Sequence, residues 1–273
     1  MFEAQRRQSL VGAALTILDL IYHNTVRSVR KSHRDAIAAI LLNILQTLIM
    51  VAAFYFLFDI LGLRGLAIRG DFLLYVMSGI FVFMAHVKSV MAVAGAEGPA
   101  SPMMQHLPMS TTVSFWAAAF SALYIQVISL GFVLAGYHLL WTPVEIHQPV
   151  GAVAMLALAW FCGVSVGSVF LALKPWFPGT IGIVQQIYVR VNMFASGKMF
   201  VANALPATMV AMFSWNPLFH IIDQGRGFLF INYTPFKTSI TYPIVVSVIL
   251  LVVGLLGESY TRKRVSLSWS AGR

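Results

Sequence analysis

Charged side chains make up only 10% of the 273 residues, and acids are the rarer sign, nine against 18 lysines and arginines. A soluble domain carries roughly a quarter charged residues. So thin a charge cannot coat a water-facing surface, and a 59% hydrophobic composition excludes a disordered chain. Cysteine is scarcer still: the single Cys162, set in an apolar run, excludes an intrachain disulfide framework. Chemical signatures are missing too. There is no GxxxxGK[ST] phosphate loop, since Gly197-Lys198 runs into Met199 and lacks the upstream glycine. There is no HExxH, CxxC or DxxD-like metal pair. The acids Glu3, Asp19, Asp35, Asp59, Asp71, Glu97, Glu145, Asp223 and Glu258 are scattered. No two share a helical face within one apolar run, as paired-carboxylate catalysis needs. The chain is therefore expected to be no enzyme and to bind no metal or cofactor of its own.

What the sequence has is long apolar runs, with a mean hydropathy of +0.82. A hydrocarbon layer about 30 Å thick needs about 20 apolar residues per helix, so this length accommodates about six spans. The expected fold is an all-α membrane protein with one domain over 1–273. Its spans are 36–61, 72–93, 112–140, 150–173, 179–202 and 240–260, a six-span core over 36–260. The first apolar stretch is not read as a signal peptide, because Asp19, His23 and Arg27 break it. The net charge of +9 points to topology and anionic lipid, not nucleic acid. Arg6, Arg7, Arg27, Arg30, Lys31 and Arg34 precede the first span; Arg262, Lys263, Arg264 and Arg273 follow the last. An even span count with both ends basic puts both termini in the cytoplasm. The loops 62–71 and 141–149 then face outward, against the rule only at Arg64 and Arg69.

Residues 8–34 place Thr16, Asp19, His23, Arg27, Arg30 and Arg34 at three- and four-residue steps, with Leu10, Ala14, Leu18, Ile21, Tyr22 and Val29 opposite. That is a helix with one cationic and one apolar face, suited to the headgroup layer; the other reading is a soluble helix packed on a partner. In the loop 95–108, Ser101 can cap a short helix with Pro102 at its first position, and Pro108 would stop it. Such a helix, carrying Met103, Met104 and Leu107, would suit docking to a soluble partner; a plain tight loop is the alternative.

The stretch 203–239 is too broken for a span and too apolar for an ordinary loop. Pro206 can open a helix to about Phe213. Asn216 as N-cap, with Pro217 at the first helical position, can open a second to about Phe230. Two short apolar helices here predict a re-entrant element buried by protein or lining water.

Charges inside the spans narrow the candidates. Arg190 and Lys198 lie in span five with Gln185, Gln186, Tyr188 and Asn192, and eight residues put the two cations roughly on one side. Span five is read as lining a polar path; the alternative is Lys198 snorkelling to the outer interface. Lys88 and His86 are read as snorkelling, and Asn43 and Gln46 as bonding across helices. His220, Asp223 and Arg226, three apart, share a helix face. They form either a polar clasp at an outer mouth or, the simpler reading, a local Asp223–Arg226 pair with His220 beside it. Most aromatics suit lipid contact and an interface belt; Phe54 and Phe81 are candidates for stacking on sugar rings.

Asn192-Met-Phe-Ala-Ser-Gly-Lys198, then Leu205-Pro206, then Trp215-Asn216-Pro217-Leu218-Phe219-His220-Ile-Ile-Asp223-Gln-Gly-Arg226 resembles the permease of ABC-2 type polysaccharide exporters. The capsular polysaccharide branch of Gram-negative bacteria is the nearest in pattern. Asn216, Pro217, Leu218, His220 and Arg226 match residue by residue, and Asp223 stands where Glu is usual. Leu74–Ile80 looks like the family's start of span two, and Gln105-His106-Leu107-Pro108 like its proline-containing inner loop. The family's Leu-Gly-x-Leu-Trp is not found around 35–48.

The resemblance implies the membrane subunit of an exporter in the bacterial inner membrane. Two copies would form the pathway as a homodimer, and a separate cytoplasmic ABC ATPase would bind ATP and Mg2+. The substrate would be a lipid-linked polysaccharide, passed on to periplasmic and outer-membrane export proteins. In that scheme Pro102, Met103, Met104, His106 and Leu107 would dock the ATPase, and Arg27, Arg30 and Arg34 would mark the interfacial helix. Gln185, Tyr188, Arg190, Lys198, Phe54 and Phe81 would line the path. Asn216, Pro217, Leu218, His220, Asp223 and Arg226 would build the outer gate. The rivals are an ABC-2 permease for a drug or simple lipid, a multispan lipid-sugar transferase, and a structural scaffold.

Overall fold

The computed structural model describes residues 10–32, 36–62, 68, 70–98 and 111–270. Among these the chain is helical, with no strand: α1 (Leu10–Ser32), α2 (Ala36–Ile60), α3 (Phe72–Ala94), α4 (Thr111–Leu140), α5 (Pro149–Leu173) and α6 (Pro178–Ala195) come first. A 3-10 turn (Ala202–Ala204), α7 (Ala207–Phe213), α8 (Pro217–Leu229) and α9 (Thr241–Ser270) complete it. Among the described residues five helices are long and apolar enough to cross a membrane: Ile37–Ile60, Phe72–Ala94, Thr111–Leu140, Pro149–Leu173 and Thr241–Arg264. The remaining expected span, the fifth (179–202), behaves differently. Its helix stops at Ala195 after 18 residues, about 27 Å at 1.5 Å per residue, and it carries Gln185, Gln186, Arg190 and Asn192. The expected docking residues Pro102, Met103, Met104, His106 and Leu107 lie outside the described residues, as do Arg34, Arg64, Arg69 and the side chain of Arg30.

α3 is the centre of the bundle. Within its apolar window 83% of the residues are buried, against 33% for α2 and 17% for α9. It packs on α5, α4, α2 and α8, while α9 packs on α5 and α1 lies along α4 and α2. In lipid, apolar side chains gain little by turning inward, so close backbone approach and hydrogen bonds hold helices together. Both occur here. Gly163 on α5 meets α3 so tightly that a Cβ there would stand 2.4 Å from the His86 carbonyl oxygen. Asn43 on α2 donates to Gln126 on α4 at 3.1 Å, and Lys88 on α3 donates to Gln46 on α2. The expected cross-helix role of Asn43 and Gln46 is borne out.

Snorkelling of His86 is not. The imidazole is fully buried between α3, α5 and α6, with Nδ1 3.3 Å from the Ala159 carbonyl and Nε2 2.8 Å from the Tyr188 hydroxyl. With two polar partners at depth, the ring has no reason to reach for water.

The connections gather at two ends. At one, Asp71 caps α3 through the Leu73 and Leu74 amides and accepts from the Tyr137 hydroxyl. The amides of His147 and Gln148 donate to the last carbonyls of α8, Leu229 and Phe228. Gly70, Asp71 and the loop 141–149 thus share an end with the segment 196–240. At the other end Lys174 reaches the Ala94 carbonyl, and Thr111 donates to Glu258. α1 is amphipathic as expected. Its Asp19–His23 pair, 3.4 Å apart, and Arg27 are exposed.

Candidate functional site

The segment 196–240 folds around α8. Asn216 caps the helix by accepting from the Leu218 amide at 3.0 Å, and Pro217 takes the first position, whose amide would have no helical partner. Pro206 precedes α7, which ends at Phe213. The prolines the sequence pointed to thus mark both starts, Pro206 just before α7 and Pro217 as the first residue of α8.

Four polar side chains project from α8 and its cap at steps of four, three and three residues. Each holds a different stretch of chain. The Asn216 amide donates to Asn192 Oδ1 at 2.9 Å and to the Ala195 carbonyl at 3.0 Å, which satisfies the C-terminus of α6. His220 donates from Nε2 to the Ser214 carbonyl at 2.8 Å and accepts at Nδ1 from the Ser239 amide at 3.0 Å. That network assigns a neutral ring protonated at Nε2. Asp223 accepts from the Ala202 amide (3.1 Å), the Tyr233 hydroxyl (2.6 Å) and the Thr238 hydroxyl (2.8 Å). Burial and the adjacent carboxylate push the Tyr233 phenol well above its ordinary range, so it stays a donor.

Arg226 is completely buried. Nη1 donates to the Gly197 and Phe200 carbonyls at 2.9 and 2.7 Å, and Nη2 to the Lys198 carbonyl at 2.6 Å. Its guanidinium lies 4.2 Å from the Tyr75 ring centroid. Carbonyl dipoles and a ring face compensate the charge where water cannot. Two glycines make room. A Cβ on Gly79 would stand 2.9 Å from Arg226 Nη2 and 3.0 Å from the Lys198 carbonyl oxygen. Gly197 has a φ of +74°, and a Cβ there would meet Phe219 at 2.5 Å.

The expected Asp223–Arg226 pair does not form: each side chain bonds loop atoms instead. Leu218 is fully buried beside them.

The path candidates are separated. Because α6 ends at Ala195, the turn at Gly197 carries Lys198 inward while Arg190 stays exposed on α6. The two cations share no side, and Lys198 does not snorkel, being only 3% exposed. Its Nζ lies 3.7 Å from the Phe83 ring centroid and 4.5 Å from that of Phe54, with no hydrogen-bond partner among the described residues. Phe81 is buried in the same core as Phe54. Gln185 donates to the Met91 sulfur at 2.9 Å, and Tyr188 bonds His86.

Sequence reasoning missed Tyr75, Gly79, Tyr233 and Thr238. Each becomes visible only once α8 brings distant chain segments together. No protein-family model matches the chain, and no curated protein matches it.

Proposed function

We propose that the protein is the membrane subunit of an ATP-driven exporter that moves a lipid-linked, capsular-type polysaccharide out of the cytoplasm. The observation that carries this reading is the hub on α8. The residues of the Asn-Pro-Leu-x-His-x-x-Asp-x-x-Arg pattern (Asn216 to Arg226), which resembles that of ABC-2 polysaccharide permeases, are the ones that fasten the outer segment together. An amphipathic leading helix, a run of apolar helices and a braced helix pair before the last one follow the order such permeases use.

In this reading α6 is the fifth of six crossings. Its shortfall in length is made up by the 196–200 turn, and α7 and α8 re-enter the outer leaflet as a gate. Both termini are cytoplasmic. The exposed apolar faces of α2, α6 and α9 meet lipid and a second copy of the chain. A separate ABC ATPase supplies the energy and holds ATP and Mg2+. Arg190, exposed on α6 beside Gln186, is a path-lining cation, because an exposed charge at membrane depth is tolerated only toward water or a partner.

Inverted inner-membrane vesicles carrying this chain and its ATPase should take up a lipid-linked glycan in an ATP-dependent way. Uptake of hydrophobic drugs or simple phospholipid, with none of the glycan, would replace this reading by the drug or lipid permease.

A further inference from the structure

The end of the bundle opposite α8 carries a second feature. The turn 174–177, which links α5 to α6, is fastened to α9. Trp176 donates from Nε1 to Thr261 Oγ1 at 2.8 Å, and the Thr261 hydroxyl donates to the Ala172 carbonyl at 3.3 Å. The Trp176 ring stacks on Tyr260 with centroids 6.0 Å apart and planes 17° apart. The Arg264 guanidinium lies 5.1 Å from the Tyr260 centroid. Yet Trp176, Phe177 and Tyr260 remain 48%, 57% and 52% exposed.

Three large rings left at the surface, at the ends of apolar helices, sit where amphipathic rings mark the boundary of a membrane. Just beyond them Lys174, Arg262, Lys263 and Arg264 are all exposed. The nearest acid on α9, Glu258, is engaged by the Thr111 hydroxyl of α4. The α9 helix runs on to Ser270 without a break, so its cations stand on a rigid element. Toward the bundle centre α9 exposes Val248, Val252, Val253 and Leu256, an apolar track leading up to the rings.

We propose that this corner is a binding site for an anionic phospholipid. Its acyl chains lie along α9, its glycerol level is framed by Trp176 and Tyr260, and its phosphate sits among Lys174, Lys263 and Arg264, while Arg262, on the far side of the helix, adds only to the positive potential. The order apolar track, aromatic pair, cation group repeats the order of chain, interface and headgroup in a single lipid molecule. The site is independent of what the protein transports.

The full chain, purified in mild detergent and offered equal phosphatidylglycerol and phosphatidylcholine, tests this by native mass spectrometry of retained lipid. Phosphatidylglycerol should be retained in preference, less so at high salt. The combined Arg262→Gln, Lys263→Gln and Arg264→Gln variant should lower that preference roughly tenfold. Lys237→Gln, away from the corner, should leave it unchanged. Trp176→Phe keeps the ring but loses the Thr261 bond, and should keep most of the preference. Equal retention of both lipids by the unaltered chain would overturn the proposal. So would an equal loss in the Lys237→Gln control. A triple variant that holds phosphatidylglycerol normally but no longer captures a co-expressed ATPase would make the corner a protein-docking face instead.

Discussion

Asp223 and Arg226 sit one helical turn apart on α8 and bond different parts of the chain rather than each other. The carboxylate gathers Ala202, Tyr233 and Thr238, while the guanidinium gathers Gly197, Lys198 and Phe200. One short helix thereby braces both the chain that enters it and the chain that leaves it. A buried charge whose lost water is replaced by hydrogen bonds is tolerated, as three replace it for Arg226 although its Nε has no partner among the described residues; one stripped of them is not.

The first prediction follows from that division. Exchanging the two, Asp223→Arg with Arg226→Asp, should not rescue either single change, because each side chain serves partners the other cannot reach. Arg226→Met alone leaves the Lys198 and Phe200 carbonyls without donors, at about 1–3 kcal/mol each, while Gly197 keeps the Phe200 amide. Thermal unfolding in detergent checks both. Recovery of the melting temperature in the exchanged protein would mean that a direct ion pair matters after all.

The turn at Gly197 gives a second prediction. Gly197→Ala should lower stability by about 2 kcal/mol or more, since the residue combines positive φ with a contact to Phe219. Gly182→Ala, on α6 with open space around it, should be neutral or gain up to about 1 kcal/mol of helix propensity. Equal melting temperatures for the two variants would count against the turn.

Lys198 supplies a third. Its ammonium is boxed by Phe54 and Phe83 and has no hydrogen-bond partner among the described residues. Lys198→Met should match or exceed the parent stability by about 1 kcal/mol or more, because an apolar chain of similar volume avoids the desolvation cost. Lys198→Glu, also charged but shorter, should be strongly destabilising. A Met variant that is more stable yet exports less would show that the charge is kept for function. A Met variant that unfolds readily would show that the cation is structural.

The α3–α5 contact can be read through the single thiol. Cys162 is fully buried next to Gly163. It should resist maleimide in the native protein and label on unfolding. Gly163→Leu should force α5 from the His86 carbonyl and speed native labelling at least tenfold. Rapid labelling of the unaltered protein would place Cys162 at a surface.

The apolar helices were legible because lipid demands an unbroken apolar run, and the two short helices because Pro206, Asn216 and Pro217 announce their starts by local chemistry. What escaped was tertiary. Helical periodicity put Arg190 and Lys198 on one side, but the chain leaves the helix at Ser196, and periodicity says nothing beyond a helix end. Spacing suggested that Asp223 and Arg226 pair, whereas buried groups in a crowded turn find backbone atoms closer. His86 looked like a snorkelling residue because its partners, Ala159 and Tyr188, lie 73 and 102 residues away. Gly79 carried no signal until Arg226 of α8 and the turn at Lys198 were seen to cross it.

The central claim is tested most directly by co-expressing this chain with the ABC ATPase encoded beside it. The complex is captured through a tag on the C-terminus of this chain and reconstituted in lipid. The account predicts a complex of two membrane chains and two ATPase subunits, whose vanadate-sensitive hydrolysis requires this chain. A chain that purifies alone, captures no ATPase and leaves the hydrolysis rate unchanged would contradict it.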